Sequence, residues 1–205
     1  MENSNNIGLI ILAAGASLRL GSPKQLLEFQ SETLLRRLAR EALASECRPV
    51  AGVLGAQSDK CAAELKDLDV DVAENAKWKS GMGSSIKTGL DKILEINESI
   101  DAVVLTVCDQ PFVTKNVINA LIETYRQTKA SIVASAYRET LGVPALFDKK
   151  LFPLLRELKE GGAKQIIRQF SAEAKSVSFP AGAIDIDTAE DFAKLSSVSQ
   201  GLFEK

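Results

Sequence analysis

The sequence predicts an α/β fold built on a parallel sheet, and three observations carry that prediction. Short apolar runs at 7–12, 49–54 and 101–107 alternate with segments whose apolar residues recur at helical spacing. The first run carries isoleucines and no charge, as a strand buried on both faces requires, and stops at Ala13, Ala14 and Gly15. A length of 205 residues suits one domain of this class and would cramp two. The expected organisation is therefore a single domain over 1–205, with a core at about 7–195 and a polar C-terminal tail.

The elements follow in order. Residues 32–44 place Leu34, Leu35, Leu38, Ala39, Ala42 and Leu43 on one helical face, with arginines between. Residues 49–54 form a second strand that ends at Gly55, 58–65 a helix and 70–73 a third strand. Ile86, Leu90, Ile93 and Leu94 mark the next helix, which Ser84 and Ser85 are expected to cap. Residues 101–107 are the clearest strand after the first, followed by a helix at 117–125 and a strand at 131–136. The run 142–147 opens with Gly142 and contains Pro144, which suits an edge or a bend. Helices at 151–158 and 163–170 are separated by Gly161 and Gly162, and 177–179 is a last short strand. Thr188 is placed to cap a final helix, with Asp191 at the capping-box offset.

Composition removes several function classes. A net charge of -2 gives no basic field for nucleic acid. The polar opening residues and the strand-length first apolar run predict neither a signal peptide nor a membrane span. Cys47, Cys61 and Cys108 are far apart and form no C-x-x-C pair, so they read as reduced thiols of a cytoplasmic protein. Histidine is absent, which excludes Ser-His-Asp and Cys-His mechanisms and His-ligated zinc. Catalysis would have to run on carboxylates, cations, backbone amides and a hard metal.

The candidate site residues lie where strands end. Ala13, Ala14 and Gly15 leave main-chain amides uncovered, and Arg19 and Lys24 follow in the same loop, a combination suited to nucleotide phosphates. The loop lacks the three glycines of a dinucleotide fingerprint, and Pro23 between Gly21 and Lys24 departs from a Walker A loop. An ordinary strand-to-helix connection is the competing reading. Gly81, Gly83 and Ser85 open a helix and offer amides and a hydroxyl to a polar ligand edge, or simply cap it. Trp78 either packs on this loop or contacts a second substrate. Asp109 ends the 101–107 strand, where an open α/β sheet binds its ligand, although an aspartate near Pro111 is also a common turn residue. Asp185 and Asp187 alternate along an extended segment and point to one side.

The string L-A-A-G-x-S-x-R-x-G-x-P-K, from Leu12 to Lys24, resembles the signature loop of nucleotidyltransferases related to molybdenum cofactor cytidylyltransferase and molybdopterin-guanine dinucleotide synthase. C-D-x-P at Cys108 to Pro111 and D-x-D-T-x-E-D at Asp185 to Asp191 match further blocks, with Ala189 where proline is usual. The resemblance implies a single three-layer α/β/α domain with a mostly parallel, Rossmann-like sheet of the nucleotide-diphospho-sugar transferase type. It assigns the nucleotide to Leu12, Ala13, Ala14 and Gly15, the triphosphate to Arg19 and Lys24, and the base to Gly81, Gly83 and Ser85. Mg2+ falls to Asp109 with Asp187, or with Asp185. Gly142 and Pro144 either shape the acceptor side or play an architectural role. The implied reaction transfers a nucleoside monophosphate from an NTP, CTP by preference, to the phosphate of molybdopterin and releases pyrophosphate. GTP as donor, a sugar 1-phosphate as acceptor, or a non-catalytic maturation partner of a molybdenum enzyme are the alternatives.

Overall fold

The computed structural model describes residues 6–17, 21–186, 188, 190–193 and 195. Its main sheet has seven strands, in the order β5-β4-β1-β6-β8-β7-β9. These are β1 (Ile7–Ala13), β4 (Val50–Leu54), β5 (Asp71–Glu74), β6 (Ala102–Val107), β7 (Ile132–Tyr137), β8 (Thr140–Asp148) and β9 (Lys175–Ser178). β1 pairs in parallel with β4 and β6, and β4 in parallel with β5. β8 is antiparallel to both β6 and β7, and β9 is parallel to β7, so only β8 reverses direction.

The apolar run of β1 is buried throughout because helices cover both sheet faces. Its side chains alternate: Leu9, Ile11 and Ala13 join one core cluster, Ile10, Leu12 and Ala14 the other. The first cluster takes the buried faces of α1 (Leu34–Ala44), α2 (Ser58–Leu65) and α4 (Lys115–Thr128). The second takes α3 (Met82–Ile96), α5 (Phe152–Glu157) and α6 (Lys164–Gln169). Gly89 of α3 lets that helix lie close on the sheet, since a Cβ there would fall 2.4 Å from Ile10 Cγ2. The three-layer α/β architecture is the one expected.

Three local features differ from the expectation. The 142–147 run lies inside the sheet, between β6 and β7, so the edge alternative fails and the irregularity it suggested takes the form of a register slip. Pro144 is accommodated because the β7–β8 register slips there, from Ala134 opposite Ala145 to Ser135 opposite Gly142, so no ladder N–H is required of it. Ser135 Oγ donates to the freed Pro144 carbonyl at 2.7 Å. A small hairpin of β2 (Glu28–Phe29) and β3 (Glu32–Thr33) precedes α1 and was not expected. Gln30 and Ser31 take positive φ in its turn, which residues other than glycine and asparagine do not signal. The serines of α3 are not caps: Gly81 is the N-cap, without a side-chain hydrogen bond, and Ser84 and Ser85 lie inside the first turn.

From β1 the chain moves outward through β4 and β5, then returns to β1's other side as β6. The order of strands reverses at that point, and the carboxyl ends of β1 and β6 open a crevice there.

Candidate active site

The loop after β1 is shaped by a residue that the motif did not flag. Gln25, in the helical turn Lys24–Leu26, is 2% exposed. Its Nε2 donates to the carbonyls of Ala13 at 2.8 Å and Gly15 at 2.7 Å, while Ala56 N donates to the carbonyl of Ala14 at 3.0 Å. Three successive carbonyls are thus engaged by the protein. Among the described residues none accepts from the Gly15 or Ala16 amide, so these remain to meet a ligand. Ser17 Oγ accepts from Lys24 N at 3.0 Å and folds the far end of the loop back. Arg19, expected on the triphosphate, lies outside the described residues.

Lys24 reaches across the crevice to the end of β6, its Nζ 2.9 Å from Asp109 Oδ2. Both side chains are partly exposed, at 18% and 27%, so the pair is open to a ligand. The Asp109 carbonyl accepts from Ile186 N at 3.0 Å, which draws the near-terminal motif against the β6 loop. Asp185 is exposed beside it; Asp187, the preferred second metal ligand, lies outside the described residues. The capping box is present, with Thr188 N and Oγ1 donating to Asp191 Oδ2 at 2.9 and 2.8 Å and Asp191 N donating back at 3.2 Å. Among the described residues no three His, Cys, Asp or Glu side chains form a metal-binding group. Cys108 is no nucleophile: burial, and then the neighbouring Asp109 charge, push its thiol well above the usual range and keep it protonated.

Asn75, 4% exposed, organises the α3 entrance. Its Nδ2 donates to Ser84 Oγ at 2.9 Å and Ser85 Oγ at 3.0 Å, and its Oδ1 accepts from Lys77 N at 2.9 Å. Ser84 spends its proton on the Gly81 and Lys77 carbonyls. The Ser85 hydroxyl accepts from Asn75, which leaves its proton to donate elsewhere. Gly83 plays a packing part: its N–H donates to the Lys159 carbonyl at 3.1 Å, and a Cβ would lie 2.2 Å from the carbonyl oxygens of Leu158 and Lys159. Its amide is therefore taken by the 158–160 loop.

Two cavities meet at Asp109. One, of about 240 Å³, is lined by Leu12, Ala14, Gly15, Lys24, Trp78 and Ser85 among others, which brings most of the expected nucleotide residues together and puts Trp78 on this side. The other, of about 400 Å³, is lined by Gln110, Tyr137, Arg138, Gly142, Lys164 and Asp185 among others. Met82, Val107 and Asp109 face both. Pro144 is not in the lining; its carbonyl is tied to Ser135.

A family model described as the MobA-like NTP transferase domain matches residues 9–175. The chain belongs to this family. Among solved structures, this MobA-like transferase is similar to Rv0371c from Mycobacterium tuberculosis H37Rv, with a TM-score of 0.82 and 24% identity over 95% of this chain and 100% of that one. A manganese complex of Rv0371C also matches, with a TM-score of 0.73 and 24% identity over 93% and 98% of the two chains. The Rv0371c homologue from Mycobacterium sp. strain JC1 gives 0.80 and 26% over 95% and 98%. Molybdopterin-guanine dinucleotide biosynthesis protein A from Archaeoglobus fulgidus gives 0.66 and 14% over 95% and 99%. No curated protein matches the sequence. Among the described residues no helix of this nucleotidyltransferase is long and apolar enough to cross a membrane.

Sequence reasoning on the MobA-like chain missed Gln25, Asn75, Gln110, Tyr137 and Arg138. A glutamine directly after the motif lysine is the one signal that was available, because a buried amide is able to hold two carbonyls at once.

Proposed function

We propose that this nucleotidyltransferase is a cytoplasmic enzyme that moves a nucleoside monophosphate, CMP from CTP by preference, onto the phosphate of molybdopterin. The observation that carries the reading is the Lys24–Asp109 pair at the place where two cavities meet, one lined in part by the signature loop and one with Arg138 and Lys164 in its lining beside Asp109 and Asp185. The nucleotide occupies the first cavity. The amides of Gly15 and Ala16, with Lys24 and Arg19, hold the triphosphate, and Gly81 and Ser85 face the base. The acceptor occupies the second, where Arg138 and Lys164 attract its phosphate.

An oxygen of the acceptor phosphate attacks the α-phosphorus. A new P–O bond forms, the bond to the bridging oxygen breaks, and pyrophosphate leaves with the electron pair. The nucleophile is ionised near neutral pH, since a phosphate monoester has its second pKa near 6, so no histidine base is needed. The chain's residues align two anions that repel each other and neutralise the charge that develops. Lys24 is suited to leave Asp109 for the β- and γ-phosphates when nucleotide enters.

The partly exposed Asp109 carboxylate, a hard oxygen donor whose counter-ion is a flexible lysine, fits a magnesium ion that keeps its waters and takes phosphate oxygens. Asp109 would hold it with Asp187. When bound, the ion supplies positive charge to the α-phosphate and the leaving group.

Pyrophosphate release from each of the four nucleoside triphosphates, with magnesium and with or without molybdopterin, tests the reading. Release with CTP that requires molybdopterin is expected. Release with GTP instead would move the donor assignment to guanine, and silence with molybdopterin but release with a sugar 1-phosphate would overturn the acceptor.

A further inference from the structure

Gln110 follows Asp109 directly, lines the second cavity and is 5% exposed. Its Nε2 donates to the Gly182 carbonyl at 3.1 Å, and its amide also touches the Tyr137 hydroxyl. Its Oε1 is buried and has no partner among the described residues. A buried carbonyl oxygen left unpaired is costly to a fold, so a native site that keeps one calls for an explanation. Turning the amide over would not remove the problem. The Gly182 carbonyl can only accept, and a flipped amide would set two oxygens against each other. The amide is therefore held with its acceptor end unpaired, in a residue of the cavity wall that also contains Arg138 and Lys164.

We propose that Gln110 is a specificity-determining residue for the acceptor, and that its Oε1 accepts a hydrogen bond from an N–H or O–H of that molecule. This rests on the reading that the second cavity takes the acceptor. The class selected is a phosphate monoester whose body carries a donor, either a ring or amide N–H or a hydroxyl. A phosphorylated molecule without a donor at that point leaves Oε1 unpaired and is discriminated against. Arg138 and Lys164 recognise the phosphate that every acceptor has in common, and Gln110 reads the part that differs between them.

The test uses the full chain with Gln110→Met, which keeps length and volume and removes both the oxygen and the amide. Pyrophosphate release is followed against molybdopterin, whose heterocycle offers N–H donors, and against glucose 1-phosphate, which offers hydroxyls. The variant is expected to raise the KM of the productive acceptor about tenfold, the equivalent of one hydrogen bond of about 1.4 kcal/mol, with the KM for nucleotide unchanged. An unchanged nucleotide KM also reports that the variant is folded; Gln110→Leu serves the same purpose should the Met variant not fold. Which acceptor is turned over tells the N–H source from the O–H source. Wild-type acceptor KM in both variants overturns the assignment while leaving the transferase reading intact, as does an equal rise in both KM values, which marks a merely structural role. No release by the wild-type chain with either acceptor overturns the acceptor reading of the second cavity, and the assignment falls with it.

Discussion

The two cavities that meet at Asp109 are built in different ways. The first takes one wall from a short stretch of main chain, at Leu12, Ala14 and Gly15, where carbonyls are held back by Gln25 and Ala56 and the Gly15 and Ala16 amides are left open; Lys24, Trp78, the α3 entrance and the end of β6 complete it. The second draws on side chains from separate elements: Gln110 after β6, Tyr137 and Arg138 at the end of β7, Lys164 at the start of α6. Main-chain amides are the same whatever side chains surround them, and they suit a group that every donor nucleotide carries. Side chains are exchangeable one at a time, and they suit the partner whose identity varies. On the proposed assignment, this difference separates a general nucleotide half from a particular acceptor half.

Changing the junction should affect both halves together. Asp109→Asn is expected to lower kcat for pyrophosphate release at least about a hundredfold, with nucleotide binding by calorimetry retained. A variant that kept wild-type turnover would remove Asp109 from the chemistry and break the link between the cavities.

A smaller effect is expected at the wall that the halves share. Gly83→Ala places a Cβ against the carbonyls of Leu158 and Lys159, so the 158–160 loop must shift and stability should fall by about 1–3 kcal/mol in denaturant unfolding. Because α3 begins between the cavities, both KM values should rise; a rise in one alone would assign the loop to that half.

The smallest expected effects separate the halves cleanly. Gln25→Met removes two hydrogen bonds to the signature loop and should raise the nucleotide KM about tenfold with the acceptor KM unchanged. Lys164→Ala should do the reverse, raising the acceptor KM by about threefold to tenfold. Crossed effects would show that the two cavities are one site.

The strand, the bared loop and the residues proposed to hold nucleotide were largely legible because that information is local. Ile7 to Leu12 signals a buried strand, the small residues after it bare the backbone, Lys24 closes the same loop, and Asp109 stands just beyond the end of the next clear strand. The capping box at Thr188 and Asp191 is likewise contained within four residues. The packing part of Gly83 was not legible, because its amide is claimed by Lys159, a loop far away in sequence. The interior position of the 142–147 run was hidden for the same reason, since a register slip against β7 makes room for a proline that sequence rules place at an edge or a bend.

By itself the sequence determined the alternation of strands and helices, the bared loop after β1 and the absence of any histidine chemistry, because hydrophobic period, glycine and residue type act within a few positions. Tertiary structure alone decided that Lys24 pairs with Asp109, that Ile186 draws the last motif onto the same loop and that Gln110 keeps an unpaired oxygen in the second cavity's wall. Each of those depends on which strand lies beside which, a choice made by burying both faces of the sheet at once and not by any local pattern.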